Sequence, residues 1–395
     1  MVERMRFELG PSLANVHHLC ERKHPYRDFY KQELEEEFVA AMRENLCWHQ
    51  ERSPFFKAYL QRQGWSEVEK MLVTMEDLQR VPMVLAKFFK RHEMLSIPRE
   101  QVFLHLTSSG TMGEKSQVFF DEWSIKSAQQ MVTNIFDYYG WIENSSSKSV
   151  NYLLYTYEPT RDNAKLGTAY TDNFLCQYAP MNRGFTALRA LIAHGNHRFD
   201  WSGTLRFLEE CADSGVPVRI FGFPAFFYFT IKRMRELAMR KLKLHPDSLV
   251  FLGGGWKGHQ GEAIAKRELY ALAEEWLGLR DERLRDGFGS VEHCIPYIEC
   301  KHHQFHLPLW SRVFIRDVRT LEVLPYGEKG FLQLMSPYIT SMPAMNVLMS
   351  DLASLHDGRG CGCGVETPYF MVHGRAGVSS SRSCAIAASE LLKGE

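Results

Sequence analysis

Short apolar runs alternate with amphipathic stretches through the middle of the chain. Apolar runs at residues 150–155, 217–221 and 248–252 predict buried strands. Helical spacing of apolar positions predicts four helices in the same region, at residues 186–193, 205–211, 225–239 and 262–277. Because buried strands that alternate with helices are typical of layered proteins, the pattern predicts an α/β fold with parallel strands.

The regions on either side have different patterns. Residues 27–100 predict mainly helices with polar faces, interrupted by prolines. Residues 102–106 and 118–120 then predict two short strands, and Ser124 predicts the N-cap of a helix with one apolar face. From Cys300 onward the pattern predicts a β-rich subregion, with strands at 305–315 and 330–335 around a turn at 325–328. The residues from Gly374 predict a linker and a short helical tail.

Length, charge and composition exclude several classes of protein and of binding partner. The 395 residues allow two or three domains, or one large α/β domain with an appendage. The 47 basic residues balance 47 acidic ones, so no overall attraction to nucleic acid or anionic membranes is expected. The most apolar run, residues 221–231, is too short to span a bilayer. The first residues lack the apolar core of a signal peptide, and nine cysteines are too few for a disulfide scaffold. We therefore expect a cytoplasmic protein with reduced thiols, no membrane span and no nucleic-acid partner.

The segment TSSGTMGEKS (107–116) directly follows a predicted strand. Hydroxyls and glycines in a tight loop direct backbone N–H and O–H donors at one anion, and Lys115 adds positive charge. The spacing is not that of a Walker A loop, and a flexible hairpin loop is the alternative interpretation. The candidate phosphate-binding residues are Thr107, Ser108, Ser109, Gly110, Thr111 and Lys115.

The segment GGGWKG (253–258) follows another predicted strand. Three consecutive glycines indicate close backbone approach or unusual φ angles. Lys257 is placed to meet an anionic substrate, although a simple strand-to-helix turn would have the same sequence features. The nearby aromatic run at 223–229 either lines an apolar pocket or packs in the core.

The segment DGFGSVEH (286–293) is a third candidate. Gly287 and Gly289 predict a sharp turn, and the ring of Phe288 is suited to cover a flat ligand. Glu292 is suited to bind a metal ion on a triphosphate. Because the pattern is short, an ordinary loop is the alternative.

Cysteine and histidine spacing predicts a metal site. Cys300 and His306, together with Cys361 and Cys363, supply three thiolates and one imidazole, a full tetrahedral zinc shell. Such a closed shell leaves no open position, so the zinc would be structural. His302 is the rival imidazole, and free thiols with surface histidines are the alternative to any metal site.

The C-terminal region adds three candidates. Asp351 and Arg375 are suited to bind ribose hydroxyls and a phosphate of a nucleotide. Cys384 stands beside Arg382 at the start of the predicted tail helix, an environment that lowers a thiol's pKa and makes it nucleophilic. A passive cysteine in a tail is the alternative.

In their order along the chain, these motifs resemble those of the adenylate-forming superfamily over about residues 40 to 390. The 107–116 segment resembles its phosphate loop, and 286–293 its aromatic-Gly-x-x-Glu segment. The resemblance implies that Phe288 stacks on adenine and Glu292 reaches Mg²⁺. It also implies that Asp351 binds ribose and that Arg375 lies in the Gly-Arg hinge motif.

Within that superfamily the chain is most similar to the acyl-protein synthetases of bacterial luminescence. The shared features are GGGWKG, FGFPAFFYF, the segment from Tyr297 to His306, CGCG and a cysteine in an SCAIA tail. The phenylacetate–CoA ligases, more distant in sequence, resemble the chain in the Cys…His…Cys-x-Cys set, which supports a structural zinc.

One departure from the superfamily concerns the C-terminal domain. Only about twenty residues follow Arg375, so the usual mobile domain and its catalytic lysine are expected to be absent, and Lys257 or Lys115 is a candidate replacement. The predicted organisation is an adenylating domain over residues 1–372, with a β-rich zinc-bearing subregion around 300–365. A tail over 373–395 follows.

The resemblance implies a function and its residues. ATP would activate a carboxylic acid, a fatty acid by analogy, to an acyl-adenylate, and the acyl group would pass to Cys384 and on to a partner such as an acyl reductase. Two alternatives remain at this stage: an AMP-forming CoA ligase, and a non-catalytic interaction protein stabilised by zinc.

Overall fold

A computed structural model describes residues 10–107, 116–143, 148–159, 174–191, 197–256 and 258–376. The α-helices are Ala14–Glu21, Gln32–Arg52, Pro54–Arg62, Val68–Met71, Glu122–Tyr138, Trp201–Ser214, Pro224–Glu236 and Lys266–Leu277. Short 3₁₀ helices are Pro11–Leu13, Glu76–Arg80, Ala86–Lys90, Arg99–Gln101, Cys176–Tyr178, Gln260–Glu262, Asp281–Arg283 and Gly358–Cys361. Among the helices of these ranges, none is both long and apolar enough to cross a membrane.

Fifteen strands are described. They are β1 (Val84–Leu85), β2 (Leu104–Thr107), β3 (Gln117–Phe120), β4 (Val150–Tyr157), β5 (Met181–Ala190), β6 (His197–Phe199), β7 (Val218–Gly222), β8 (Leu249–Gly253), β9 (Leu284–Phe288), β10 (Tyr297–Ile298), β11 (Phe305–His306), β12 (Arg312–Arg316), β13 (Lys329–Met335), β14 (Asn346–His356) and β15 (Tyr369–Arg375). Strands β2 and β3 form a separate antiparallel hairpin.

A seven-stranded sheet has the order β10-β9-β8-β7-β4-β5-β6. Its five central strands, β9, β8, β7, β4 and β5, pair in parallel, and the two edge strands run antiparallel. The interior positions of β7 are buried throughout, as expected for a parallel strand covered on both faces. The prediction of an α/β fold with parallel strands is confirmed.

The β-rich subregion forms a six-stranded sheet with the order β11-β15-β14-β13-β12, and β1 pairs with β14. Apart from the parallel pair of β1 and β14, all its pairs are antiparallel. Strand β15 runs through Arg375, so it crosses the predicted boundary at residue 372. Ala376 then donates its backbone N–H to the Ser350 carbonyl at 2.8 Å, which holds the chain against β14.

Two large apolar clusters position these sheets. One face of the seven-stranded sheet packs against the helices Trp201–Ser214, Pro224–Glu236 and Lys266–Leu277. The opposite face packs against Glu122–Tyr138 and shares a continuous core with the N-terminal helices and the six-stranded sheet. The two sheets are therefore joined through buried side chains on that face.

Two local predictions are wrong. Residues 186–193 were expected to be helical, but β5 covers most of them, because pairing with β4 and β6 overrides a weak helical preference. The helix expected to be capped by Ser124 begins at Glu122 instead, and Asp121 caps it by accepting the Ser124 N–H at 2.7 Å. The Ser124 hydroxyl lies 3.2 Å from Thr340 Oγ1.

Candidate functional site

The carboxyl ends of β7, β8 and β9 lie side by side at one edge of the seven-stranded sheet. In parallel register, Gly222 pairs with Leu252 and Gly253 with Gly287. Ligands of open α/β sheets bind in the crevice outside these strand ends. The glycine segment after β8 lies here, and the positive φ angles of Gly254 (75°) and Gly255 (69°) confirm the predicted unusual backbone.

The aromatic run at 223–229 is divided between core and edge. Phe223 and Phe227 are buried, at 1% and 0% exposure, so these two rings pack in the core. The half-buried rings of Phe226 and Phe229 contact His259 edge-on, with ring centroids 5.6 and 5.0 Å apart. Core packing is therefore confirmed for two rings of the run, and its role in lining an apolar pocket stays a prediction.

The end of β9 is tightly packed. A Cβ on Gly287 would lie 2.6 Å from the ring of Phe251, so the strand can pass this ring only without a side chain. The half-buried ring of Phe288 packs edge-on against Phe370, with ring centroids 5.3 Å apart, and also contacts Phe305. This aromatic cluster fixes Phe288 beside the loop that follows. Gly289 is exposed at the start of that loop.

Glu292 lies at the far side of the loop and is buried, with 6% exposure. The Ser290 hydroxyl donates to Glu292 Oε2 at 2.6 Å and contacts Met349 Sδ at 3.9 Å. These contacts bring the loop after β9 against strand β14, two residues before Asp351. The negative charge of Glu292 is near enough to Asp351 to contribute to a raised pKa there.

Asp351 and Arg375 face one another in adjacent antiparallel strands. Arg375 Nε lies 3.3 Å from Asp351 Oδ1, with the aspartate buried and the arginine exposed. Burial raises the pKa of Asp351, and the guanidinium of Arg375 opposes that rise. The structure thus brings together Glu292, Asp351 and Arg375, three residues that are far apart in sequence.

The candidate phosphate loop is only partly described. Thr107, the last residue of β2, pairs with Gln117 of β3, and this pair closes the hairpin from which the loop extends. The other predicted loop residues lie outside the described ranges, and so do the candidate lysine after β8 and the tail cysteine: Ser108, Ser109, Gly110, Thr111, Lys115, Lys257 and Cys384.

A second cluster lies where β10 leads toward β11. The ligand atoms of Cys300, His306, Cys361 and Cys363 all lie within 4.8 Å of one another. This is the set that the sequence predicted, and three sulfur atoms with one imidazole nitrogen suit a tetrahedral zinc ion. The Cys300 thiol donates to Cys363, which lowers the pKa of Cys363 to about 3 and raises that of Cys300.

Hydrogen bonds around the cluster orient its ligands. His306 Nδ1 lies 2.6 Å from the Thr367 carbonyl, so it donates there and leaves Nε2, 3.3 Å from Cys363 Sγ, free to accept a metal ion. His302 Nδ1 instead contacts the Cys361 carbonyl at 2.6 Å. Backbone N–H groups of His302 and Val365 donate to the sulfur atoms of Cys300 and Cys363, each at 3.3 Å. The geometry favours His306 over His302 as the fourth ligand.

Sequence reasoning missed a partly buried ion network between these two sites. Lys266 Nζ contacts Asp286 Oδ2 at 2.9 Å and also contacts Glu299. Glu299 is fully buried, and it accepts the Asp286 backbone N–H at 2.9 Å and the Tyr270 hydroxyl at 3.1 Å. Burial raises the pKa of Asp286 to about 6, although Lys266 opposes this. The one available signal was an acidic residue inside the otherwise apolar YIEC strand, next to Cys300.

Comparisons with known proteins place this arrangement in a family. The sequence model described as "Acyl-protein synthetase, LuxE" matches residues 14–393. A long-chain-fatty-acid–luciferin-component ligase of Vibrio harveyi is 27% identical over 302 residues, which cover 76% of this chain and 74% of that protein. The protein of the same name from Aliivibrio fischeri is 25% identical over 308 residues, 78% of this chain and 76% of that protein.

Solved structures share the fold. An open conformation of 2-hydroxyisobutyryl-CoA ligase with 2-HIB-AMP and CoA superposes with a TM-score of 0.61 at 13% identity, and covers 89% of this chain and 76% of that chain. The same ligase in its postadenylation state gives 0.62 at 13% identity, over 90% of this chain and 71% of that chain. The predicted adenylate-forming fold is confirmed. So is the predicted class of enzyme, because the family match covers almost the whole chain: the protein belongs to the LuxE family of acyl-protein synthetases.

Proposed function

We propose that this protein uses ATP to activate a fatty acid as an acyl-adenylate and then transfers the acyl group to Cys384. The observation that carries the proposal is the convergence of Glu292, Asp351 and Arg375 beside the carboxyl end of β9. These are the residue types that bind a nucleotide and its magnesium ion, and they meet where α/β sheets bind ligands. The substrate class follows from the names of the two ligases reported above.

The first step joins the acid to AMP. A carboxylate oxygen of the fatty acid attacks the α-phosphorus of ATP, a new P–O bond forms, and pyrophosphate leaves with the electrons of the broken P–O bond. Asp351 accepts hydrogen bonds from the ribose hydroxyls, and the ring of Phe288 lies against the adenine. Bound near Glu292, Mg²⁺ would neutralise charge on the phosphates. The donors of the loop that begins at Thr107 stabilise the same charge, and Lys257 is the candidate for the catalytic lysine.

The second step transfers the acyl group. The Cys384 thiol loses its proton to solvent, and the sulfur attacks the carbonyl carbon of the acyl-adenylate. A C–S bond forms and the C–O bond to AMP breaks, so AMP leaves and a thioester remains. A mixed anhydride is a good electrophile, which is why a thiolate suffices as the nucleophile. An acyl-acceptor protein such as a reductase would take the group onward.

The cysteine–histidine cluster has a structural role in this proposal. Three thiolates and one imidazole fill the four positions of tetrahedral zinc, so no position remains for water or substrate. Through Cys300 and Cys363 the ion would fix the chain between β10 and β11 to the segment before β15, which carries Arg375. Zinc would therefore hold the nucleotide site together without taking part in the chemistry.

The test is self-acylation. Wild-type protein incubated with ATP, Mg²⁺ and a radiolabelled fatty acid should retain label on a denaturing gel, and hydroxylamine should release that label. Cys384→Ala should lose the label but keep ATP–pyrophosphate exchange. Cys47→Ala, which replaces a half-buried cysteine in the helix Gln32–Arg52, is the matched control and should label normally.

Three outcomes would contradict parts of the proposal. Absence of fatty-acid-dependent pyrophosphate exchange in wild-type protein would overturn the activation step. Exchange without protein label would overturn self-acylation. Equal thioester formation on added CoA by wild type and Cys384→Ala would identify a CoA ligase.

A further inference from the structure

We propose that a cavity at the amino-terminal end of β9 binds a small phosphorylated ligand. The cavity has a volume of about 350 Å³, at the lower end of the range for small-molecule sites. Arg285 lies in β9 four residues before Gly289, which places the cavity about 13 Å along the strand from the candidate nucleotide site. The proposal is therefore independent of the proposed acyl transfer.

The lining is strongly basic. Four cations, Arg280, Arg283, Arg285 and Lys301, line the cavity together with a single carboxylate, that of Glu282. Glu282 is already paired with Arg280 at 2.9 Å. Cys300 and Cys363 also line the cavity, but zinc in the proposed cluster would offset the charge of their thiolates. The remaining cations have no carboxylate opposite them within the lining. A ligand that brings two or more negative charges would supply the missing countercharge.

Arg285 is the most informative of these cations. It is 95% buried at the floor of the cavity, with 5% of its surface exposed, and its Nε has no hydrogen-bond partner among the described residues. Its only hydrogen bond in the described part of the chain is a long one of 3.4 Å from Nη1 to the neighbouring Leu284 carbonyl. A buried guanidinium with one long hydrogen bond and an unsatisfied Nε is costly, so this side chain is suited to bind an anion that enters the cavity.

Arg283 is held in a fixed orientation beside it. Its Nε donates to the Ser248 carbonyl at 3.0 Å and its Nη2 donates to the Asp247 carbonyl at 2.5 Å. The two main-chain contacts leave part of the guanidinium fork on the cavity side. A preorganised pair of guanidinium groups matches the geometry of phosphate oxygens better than that of a single carboxylate.

Aromatic side chains form the rest of the wall. Trp141 is buried, and its ring centroid lies 5.8 Å from Arg285 Cζ. Tyr138, which also lines the cavity, is exposed. Tyr139 stacks on Trp141 with ring centroids 4.7 Å apart. The cavity thus offers cations for a phosphate and ring faces for a flat or apolar group attached to it.

Binding of inorganic phosphate to the purified full chain tests the proposal directly. Calorimetric titration should detect a phosphate site in wild-type protein. Arg285→Gln should weaken the affinity of that site for phosphate at least tenfold. Lys301→Gln, which changes an exposed side chain, should weaken it several-fold. Asp351→Asn, in the candidate nucleotide site, should leave it unchanged. Arg240→Gln makes the same charge change at an exposed arginine outside the cavity, and it is the matched control. Titrations with AMP in the same variants would show whether an attached ring adds affinity.

The reverse pattern would overturn the proposal. Phosphate binding that survives Arg285→Gln but is lost in Asp351→Asn would place the anion in the nucleotide site. Failure of wild-type protein to bind phosphate at millimolar concentration, together with loss of metal from Arg285→Gln, would identify the cations as countercharge for the neighbouring thiolates. Because Lys301 is exposed, Lys301→Gln should fold normally, and its phosphate affinity tests the proposal even if Arg285→Gln folds poorly.

Discussion

Asp351 and Arg375 occupy directly opposed positions in β14 and β15, so a buried carboxylate and an exposed guanidinium meet at the edge of the candidate nucleotide site. They lie in adjacent strands, although they are 24 positions apart in the sequence. This register determines where a ribose and a phosphate would be bound.

Asp351→Asn should weaken use of ATP. The change removes a charged acceptor of ribose hydroxyls, and charged hydrogen bonds contribute about 1.5–3 kcal/mol, so kcat/KM for ATP should fall about tenfold to a hundredfold. Pyrophosphate exchange at varied ATP concentration measures this. Asp213→Asn, at an exposed aspartate paired with Arg240, is the control and should match wild type. An unchanged kcat/KM for ATP in Asp351→Asn would show that this residue does not bind the nucleotide.

Metal analysis should distinguish the two candidate imidazoles. Wild-type protein should contain about one equivalent of zinc, and His306→Ala should lose it together with thermal stability. His302→Ala should keep the metal, because its Nδ1 contacts the Cys361 carbonyl. Cys176→Ala tests for a general effect of removing a thiol and should also retain zinc. Zinc retained in His306→Ala but lost in His302→Ala would reverse the ligand assignment.

Acid should destabilise the fold through His49. Burial lowers the pKa of this imidazole to about 3, whereas the unfolded chain titrates near the ordinary value of 6.5. Below that pH the unfolded state binds the proton that the folded state excludes, so the free energy of unfolding falls by about 1.4 kcal/mol per pH unit from this residue. Above about pH 6.5 the protonation of His49 has no effect on stability. Between about pH 6.5 and pH 3 it lowers the free energy of unfolding progressively as the pH falls.

Urea unfolding at several pH values between 4 and 7 measures that slope. His49→Asn should reduce it by about 1.4 kcal/mol per pH unit. Ser96→Ala removes the 2.7 Å contact with His49 Nδ1 but leaves the titrating ring, so it should lower stability by a similar amount at every pH. Equal slopes in wild type and His49→Asn would show that this histidine does not carry the acid sensitivity.

Lys266→Met should destabilise the protein by about 1–2 kcal/mol, because it removes the cation that contacts both the Asp286 and Glu299 carboxylates. The estimate allows for solvent screening, since the Lys266 side chain is 39% exposed. The double variant Lys266→Met/Glu299→Gln should recover part of that loss, because one of the two charges is then gone. Equilibrium unfolding of wild type, both single variants and the double variant gives the coupling energy. Strict additivity of the two single changes would contradict the proposed network.

The sequence was informative where residue type and spacing carry the chemistry. Cysteines and histidines at short intervals predicted the metal cluster, and the ligand atoms of Cys300, His306, Cys361 and Cys363 do lie together. The segments around Phe288 and Asp351 could be ordered along the chain because each has a local motif. The parallel sheet followed from short apolar runs separated by helical stretches.

Features that depend on pairing between distant segments could not be predicted in this way. Strand β5 was mistaken for a helix because its burial comes from β4 and β6, which local preference does not reveal. The contacts of Lys266 with Asp286 and Glu299 required the helix Lys266–Leu277 to be placed against β9 and β10. The cationic cavity draws its lining from at least three separated segments, and its arginines belong to no motif.

The hydrogen bond from Ala376 to Ser350 sets a tether length for the proposed acyl carrier. Ala376 is fixed beside Asp351, and Cys384 is the eighth residue after it, a reach of at most about 28 Å. A thiol confined to that radius has an effective concentration in the millimolar range around its own active site. Acylation of Cys384 would then be unimolecular, so its rate per molecule would not change when the protein is diluted.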